Sequence, residues 1–439
     1  MPRGQKVRCA NVQQPAADAP IAAPPRLSAY GVFLRFLRFG LHAWGGPTAQ
    51  IALIRDELVE RERWVEPDEF RRALAVYQAL PGPEAHELCC WFGMRARGRI
   101  GALAAGLGFM LPGLVLMLVA SWLYVRYGVR HELAAAAFLA VQAAVVGLVL
   151  RAVLRLHGAL AKGADRTTLS CVGLFAAALA VPFWIPLVVG GLVAAATRAA
   201  RPAMSTAIAA VAAASIALLG AFWAVPRAAE RSGATTAASV ADAPSSVDAQ
   251  RLFATGLAGG LTSFGGAYTA IPVVQAEATG RNGRPGWMTD GQFLDGIAIG
   301  GVLPAPLVIF GTFVGWLGGG LGGALLVTLG MFLPAFAFTL IGHELFERLV
   351  ALPRLHAFLD GVSAAVFGLV LATSIGLLLA TIGANTALDP ALPPIARPIA
   401  LAIAGAAFVA FLLLKQRFAI PVVLALAALV GLLLHALGL

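Results

Sequence analysis

Charge is what this sequence has least of. Asp, Glu, Lys and Arg make up 12% of its 439 residues, while 59% are hydrophobic; a water-soluble domain carries roughly 25% charged residues. The polar surface of a soluble globule is missing, and the chain reads as an integral membrane protein. Cysteine is also scarce. Cys9, Cys89, Cys90 and Cys171 have no metal-ligand spacing, and a disulfide framework is out of place in a large apolar chain, so they read as inert. No P-loop, zinc pattern or nucleophile elbow occurs. GLHAWGG and the Gly-rich WLGGGLGG from Trp316 to Gly323 lack the Lys-Ser/Thr or strand context of a nucleotide site. An ATP-driven pump is therefore disfavoured, and no cofactor, metal or catalytic residue is expected. An intramembrane enzyme acting on lipid phosphates would want clustered Arg, His and Glu, and Glu84-His86-Glu87 has no second cluster to complete it. The net charge of +10 is scattered over short loops rather than gathered on one face with interleaved aromatics, which argues against nucleic acid. Residues 1–29 hold no signal-peptide core and read as a disordered cytoplasmic tail.

Glycine and proline, in contrast, are plentiful at 49 and 26 residues, as in polytopic proteins with broken or closely packed helices. Apolar runs, compared with the ~20 residues needed to cross hydrocarbon, fall near 33–54, 73–94, 100–125, 133–156, 168–197 and 203–225. A second series falls near 252–275, 294–316, 320–346, 357–382, 399–414 and 418–438. The polar stretch 226–251 between them reads as a linker. This divides the chain into a first transmembrane repeat domain, 30–225, and a second, 252–439.

The two series echo each other. Gly40-Leu41, Gly45-Gly46 and Ile51 recur 220 residues later as Gly260-Leu261, Gly265-Gly266 and Ile271; Trp64 and Phe70 recur 223 later as Trp287 and Phe293. Leu80-Pro81-x-Pro83 returns as Leu303-Pro304-x-Pro306, and Leu111-Pro112 as Leu333-Pro334. Composition alone does not set the Trp, Pro and double-Gly matches, so the order points to duplication. The fold class expected is all-α polytopic, with two homologous repeats of about six to seven transmembrane helices each, some of them broken. If residues 168–197 cross twice at Pro182 and Pro186, loops on the N-terminal side of the first half carry nine basic residues against seven. The positive-inside rule then puts the N-terminus in the cytoplasm and the linker outside, which inverts the second repeat and gives thirteen crossings.

Each half has two sites that break a helix inside an apolar segment. They are Trp44-Gly45-Gly46-Pro47 with Pro81-Gly82-Pro83, and Phe264-Gly265-Gly266 with Pro304-Ala305-Pro306. Proline removes a backbone donor and clashes with the preceding turn. A half-helix can then start in mid-membrane, with free N–H groups and the positive dipole end turned into a cavity, which is an anion site. Close helix packing for Gly-Gly and a plain kink for Pro are the structural alternatives. The substrate-binding candidates are His42, Gly45, Gly46, Pro47, Pro81, Gly82, Pro83, Gly265, Gly266, Pro304 and Pro306.

Ionisable groups at membrane depth are costly and mark pathways. Glu84, His86 and Glu87 follow the Pro-Gly-Pro turn and are candidates for a proton relay; a water-filled vestibule with no role is the alternative. Arg35 and Arg38 enter the first apolar run and Arg55 closes it. They would attract an anion or snorkel to the interface. The block RDELVERERWVEPDEFRR, Arg55 to Arg72, reads as a charged amphipathic loop with solvated salt bridges and Trp64 as an interfacial anchor.

These motifs resemble the bacterial chromate ion transporters in their long, two-domain form, over nearly all of residues 30–439. GLHAWGGP at 40–47, RWVEPDEF at 63–70, LPGP at 80–83, GLTSFGGAY at 260–268 and VLPAPL at 302–307 are similar to the family's breaks, Trp-containing loop and Pro-x-Pro turns. The resemblance implies a multi-pass inner-membrane secondary transporter that exports chromate, an oxyanion of sulfate's shape and charge, and so confers chromate resistance. Export would be driven by membrane potential or protons, with homologous domains in opposite orientation. Its partners are then chromate or sulfate and membrane lipid, with a homodimer allowed and no nucleic acid. His42-Ala43-Trp44 stands where the family usually has Thr-Ser-Phe, Gln50 near a usual His, and Ala267 and Ala305 where Gly is usual. The alternative reading is a transporter or channel for another inorganic anion such as sulfate.

Overall fold

The computed structural model describes residues 24–127, 132–159, 170, 174, 184–197, 247–263, 267–281, 284–350, 353–381, 396–414 and 418–437. The first part of the N-terminal tail, the apolar run 203–225, most of the linker, Cys9, Cys171, and Phe264, Gly265 and Gly266 lie outside them. The described regular elements are helices. In the first half they are α1 (Ala29–Leu41), α2 (Pro47–Ile54), a π-helix (Arg55–Arg61), α3 (Pro67–Ala79), α4 (Glu84–Tyr127), α5 (Glu132–Ala159) and α6 (Trp184–Thr197). The second half has α7 (Ala249–Leu261), α8 (Ile271–Ala278), α9 (Asp290–Val302), α10 (Phe310–Val350), α11 (Pro353–Thr381), α12 (Ala396–Leu413) and α13 (Ala419–Ala436), with short 3-10 turns at Ala267–Ala270 and Leu307–Ile309. Among the described residues five helical segments are long and apolar enough to cross a membrane, and the chain is an all-α polytopic membrane protein.

Several apolar runs are not single spans. The run 33–54 is α1 and α2 with a break between, and 73–94 is the end of α3, a loop and the start of α4. At 13 and 8 residues, α1 and α2 fall short of the ~20 needed to cross alone. The 44-residue α4 is itself a hairpin. It doubles back where Arg97 (φ −153°, ψ 34°) and Gly98 (φ 58°, ψ −153°) leave helical geometry, a combination open in practice to glycine. Among the described residues the runs 33–54 and 73–94 are therefore not single straight crossings, because helix-breaking residues divide them into shorter pieces.

The two arms of α4 touch at Gly93 and Gly101. A side chain on either glycine would run into the other's carbonyl oxygen. α10 turns in the same way at Gly320 (φ 57°), and Gly315 and Gly323 block each other likewise. Small residues at such crossings let backbones come together where lipid supplies no hydrophobic drive. Gly101→Leu is expected to prevent closure of the first hairpin, at the upper end of the roughly 1–3 kcal/mol that overpacking costs. Loss of a monodisperse peak in detergent chromatography checks this; an unchanged peak and melting temperature would contradict it.

Matching caps occur in both halves. α1 ends at His42 (φ −105°, ψ 8°) and α7 at Thr262 (φ −103°, ψ 2°). α3 ends at Leu80 (φ −86°, ψ 154°) and α9 at Leu303 (φ −83°, ψ 149°). α1 packs on α4 as α7 packs on α10. Between halves, α4 lies against α10, and α5 against α9, α11, α12 and α13. The larger apolar core is shared, with Met117, Leu148 and Val149 of the first half joined to Phe310, Met331 and Leu424 of the second.

The block Arg55–Arg72 differs from the solvated loop its charges suggest. Much of it is helical, Leu58, Val59 and Val65 are buried, and Trp64 is 3% exposed, its indole N–H donating to Glu62 at 2.8 Å. Outer pairs such as Arg61–Asp56 remain in solvent. Apolar residues interleaved among the charges give the segment a face that packs into the first-half core.

Candidate functional site

The first break lies between α1 and α2. Gly45 (φ 92°) and Gly46 (φ 79°) occupy the left-handed region, which costs an L side chain free energy. Pro47 takes the first helical position of α2, where a missing N–H costs nothing. His42 is exposed, and its Nδ1 lies 2.8 Å from the Arg38 carbonyl oxygen. Trp44 meets Phe418, with ring centres 6.0 Å apart. Gln50, one turn into α2 and 1% exposed, donates from its amide nitrogen to the carbonyls of Ala43 and Ala305, each at 2.9 Å. The first acceptor closes the break beneath the residue. The second lies in Pro304-Ala305-Pro306, in the other half.

The second break has the same cross-half tie. Gly82 N–H donates to the Ser263 carbonyl at 2.9 Å, next to the break that follows α7. α4 then starts: His86 and Glu87 N–H reach back to the Pro83 carbonyl at 2.8 and 3.1 Å, leaving the N–H groups of Glu84 and Ala85 ahead of the helical ladder. Pro83, Pro304 and Pro306 are buried and Pro81 is half-buried. The structure thus ties Gln50, one turn after Gly45-Gly46-Pro47, to Ala305 between Pro304 and Pro306, and Gly82 of Pro81-Gly82-Pro83 to Ser263, the residue preceding Phe264-Gly265-Gly266.

Glu84, His86 and Glu87 are 5%, 0% and 0% exposed, in packed protein rather than an open vestibule. His86 sits among the rings of Phe336, Phe332 and Phe109, at 4.7, 5.0 and 6.5 Å between centres, with Nδ1 3.8 Å from Cys90 Sγ. Both Glu87 carboxyl oxygens are buried without a hydrogen-bond partner among the described residues. Such a group is retained at a cost and points at the Gly82 loop: a side chain on Gly82 would meet Glu87 Oε1 at 2.5 Å.

The three arginines are dispersed. Arg35 pairs with Glu57 and Glu62 and lies over the Phe39 ring. Arg38 is exposed, and Arg55 pairs with Glu60 at 3.0 Å. A further polar cluster, which sequence position alone could not single out, joins Asp295 to Tyr124 and Gln142. Among the described residues no group of three His, Cys, Asp or Glu side chains could hold a metal ion.

Helices interrupted in mid-run, with interruptions from the two halves tied to each other, are the build of a polytopic membrane transporter. The sequence carries this from class to family. The chromate transporter family profile matches residues 30–197 and 250–432, and the chain belongs to that family, in its long, two-domain form. A chromate transport protein of Pseudomonas aeruginosa is 50% identical over 81% of this chain and 82% of its own length. One from Cupriavidus metallidurans is 28% identical over 80% and 83%. An uncharacterized transporter of Methanocaldococcus jannaschii is 26% identical over 79% and 84%. No solved structure matches. The family is one of transporters, and this chain is a transporter, not an enzyme.

Proposed function

We propose that the protein exports chromate across the bacterial inner membrane and that the helix breaks form its substrate site. The observation that supports this is the pair of cross-half ties, Gln50 to Ala305 and Gly82 to Ser263, each of which joins a residue at or beside a first-half break to the second half. Residues 30–225 and 252–439 act as two homologous domains in opposite orientation, and their matching caps and hairpins support this reading. The relatives in Pseudomonas and Cupriavidus, both chromate transport proteins, support chromate as the substrate. His42, Gly45, Gly46, Pro47, Pro81, Gly82, Pro83, Gly265, Gly266, Pro304 and Pro306 surround the oxyanion, held by backbone N–H groups and half-helix dipoles. Glu84, His86 and Glu87 take part as proton-relay groups, and Arg38 raises the local anion concentration at the exposed side. The two domains rock to expose the site alternately. With the cytoplasm negative, expelling net negative charge gains on the order of 2 kcal/mol per elementary charge at ordinary membrane potentials.

Uptake of labelled chromate into energised inside-out vesicles tests the proposal. Saturable accumulation that needs the protein, is competed by sulfate and collapses with the potential is expected. Sulfate accumulation without chromate uptake would reassign the substrate, and flux of either anion without saturation would make the protein a channel.

A further inference from the structure

Asp295 is 2% exposed in the middle of α9. Its Oδ2 accepts from the Tyr124 hydroxyl at 2.7 Å and its Oδ1 from the Gln142 amide at 2.8 Å. Both donors come from the other half of the chain: Tyr124 from the far end of α4, Gln142 from α5. Around them the packing is apolar, with the Tyr124 ring against Phe313 at 4.9 Å and Phe138 at 5.7 Å between centres.

Among the described residues the carboxyl forms no salt bridge with a cation. Of the elements packed on α9, α4 offers Arg126, α5 Arg151, α8 Glu277, α11 Asp360 and α13 His435, and none of these forms a salt bridge with Asp295. The described side chains of α10 and the 3-10 turn at Leu307–Ile309 include no charged group. On the first turn of α9, Asp290 is already engaged by Arg281 at 2.8 Å and Gln275 at 2.7 Å. Asp295 therefore depends on two neutral donors, both of which belong to the half that must move relative to it if access alternates.

We propose that Asp295 is a proton-binding residue of the transport cycle, with Tyr124 and Gln142 as the positioning residues that decide when it is charged. With the halves apposed, the hydroxyl and amide donate to an ionised carboxylate. When the halves part, both bonds break, and an ionised carboxylate without partners in apolar surroundings is too costly to persist. It takes a proton from the periplasmic side when that side is open, and as the donors come back it gives that proton to water on the cytoplasmic side. One proton is bound and released per cycle, with no covalent step. The Tyr124–Asp295 contact suits this exchange, because a tyrosine hydroxyl donates to a carboxylate and equally accepts from a carboxylic acid. The proposal rests on the reading of the chain as a transporter whose halves move, and it adds a coupling site apart from the helix breaks.

The test uses the full-length protein in proteoliposomes, with two transport readouts and one substrate-free readout. For Asp295→Asn, accumulation of labelled chromate driven by an imposed pH gradient should fall by about tenfold or more, while chromate–chromate exchange stays within about threefold of wild type. A purely structural Asp295 would lower both alike. Infrared titration of the purified protein should show a protonated-carboxyl band that Asp295→Asn removes. Should that variant not fold, Tyr124→Phe, which keeps the carboxyl and removes one donor to its ionised form, should move the band's midpoint to higher pH. Unchanged gradient-driven accumulation in Asp295→Asn, a common fall of both transport readouts, or spectra identical across wild type and variants would overturn the proposal. Absence of chromate exchange in the wild type would instead defeat the substrate reading, and the infrared titration would still decide the role of Asp295.

Discussion

Gly82→Ala is expected to reduce chromate flux by about tenfold or more, the kinetic equivalent of about 1.4 kcal/mol, while the protein still inserts and melts near the wild-type temperature. The added methyl would lie 2.5 Å from Glu87 Oε1 and 2.8 Å from its carboxyl carbon. Those atoms are the end of a flexible side chain, so they give way more cheaply than backbone would. The strain is local to the loop, where Gly82 holds φ at 156°, a value L side chains rarely adopt, and the buried carboxyl is moved from the mouth of the α4 half-helix. Glu87→Gln separates the two components of that effect: it keeps shape at the same place and removes the ionisable group. If Glu87 relays protons, Glu87→Gln loses flux and Gly82→Ala adds little to it. If Gly82→Ala alone is defective, the loop geometry matters and the carboxyl does not. Vesicle uptake normalised to inserted protein, with melting curves, distinguishes these outcomes; full flux in Gly82→Ala would remove the Pro-Gly-Pro loop from the site.

Gln50→Leu has the second large effect. It leaves the Ala43 and Ala305 carbonyls without the amide that serves both, in surroundings where each buried acceptor left unmade costs roughly 1–3 kcal/mol. Gln50→Glu should be worse still, since it turns a carboxylate oxygen toward two carbonyl oxygens. The expected order of melting temperatures is wild type, then leucine, then glutamate, and flux should fall in the same order. A leucine variant as stable and active as wild type would mean that the tie between the first break and Pro304-Ala305-Pro306 has no part in holding the halves together.

The helix breaks of the candidate site were legible because the residues that break helices are chemically conspicuous. Pro47, Pro81 and Pro83 cannot continue a hydrogen-bonded ladder, and Gly45 and Gly46 have no side chain to forbid the left-handed turn they make. The common spacing read for the two halves rests on landmarks of the same kind, Trp, Pro and Gly-Gly. The reversal of α4 at Arg97-Gly98 was legible as the gap between the apolar runs 73–94 and 100–125, where Arg95, Arg97 and Arg99 interrupt the hydrophobic sequence. Trp64, placed at an interface by its charged neighbours, is buried because Leu58, Val59 and Val65 fold those neighbours onto the core. Contacts made across the chain are the least legible. Gln50 reaches a carbonyl 255 residues away and Asp295 a hydroxyl 171 away; nothing local distinguishes either from a packing residue until the halves are brought together.

The claim that the breaks of both halves enclose one anion site is tested most directly by equilibrium binding of radiolabelled chromate to the purified protein in lipid nanodiscs, wild type beside Gly46→Ala and Gly82→Ala. Gly46 has open space around it, with Ile420 at 3.9 Å, so alanine there disturbs the backbone turn and nothing else. Saturable binding in the wild type, displaced by sulfate and weakened in both variants while each remains folded, is the predicted result. Undiminished binding in both variants would contradict the account and place the anion elsewhere in the molecule.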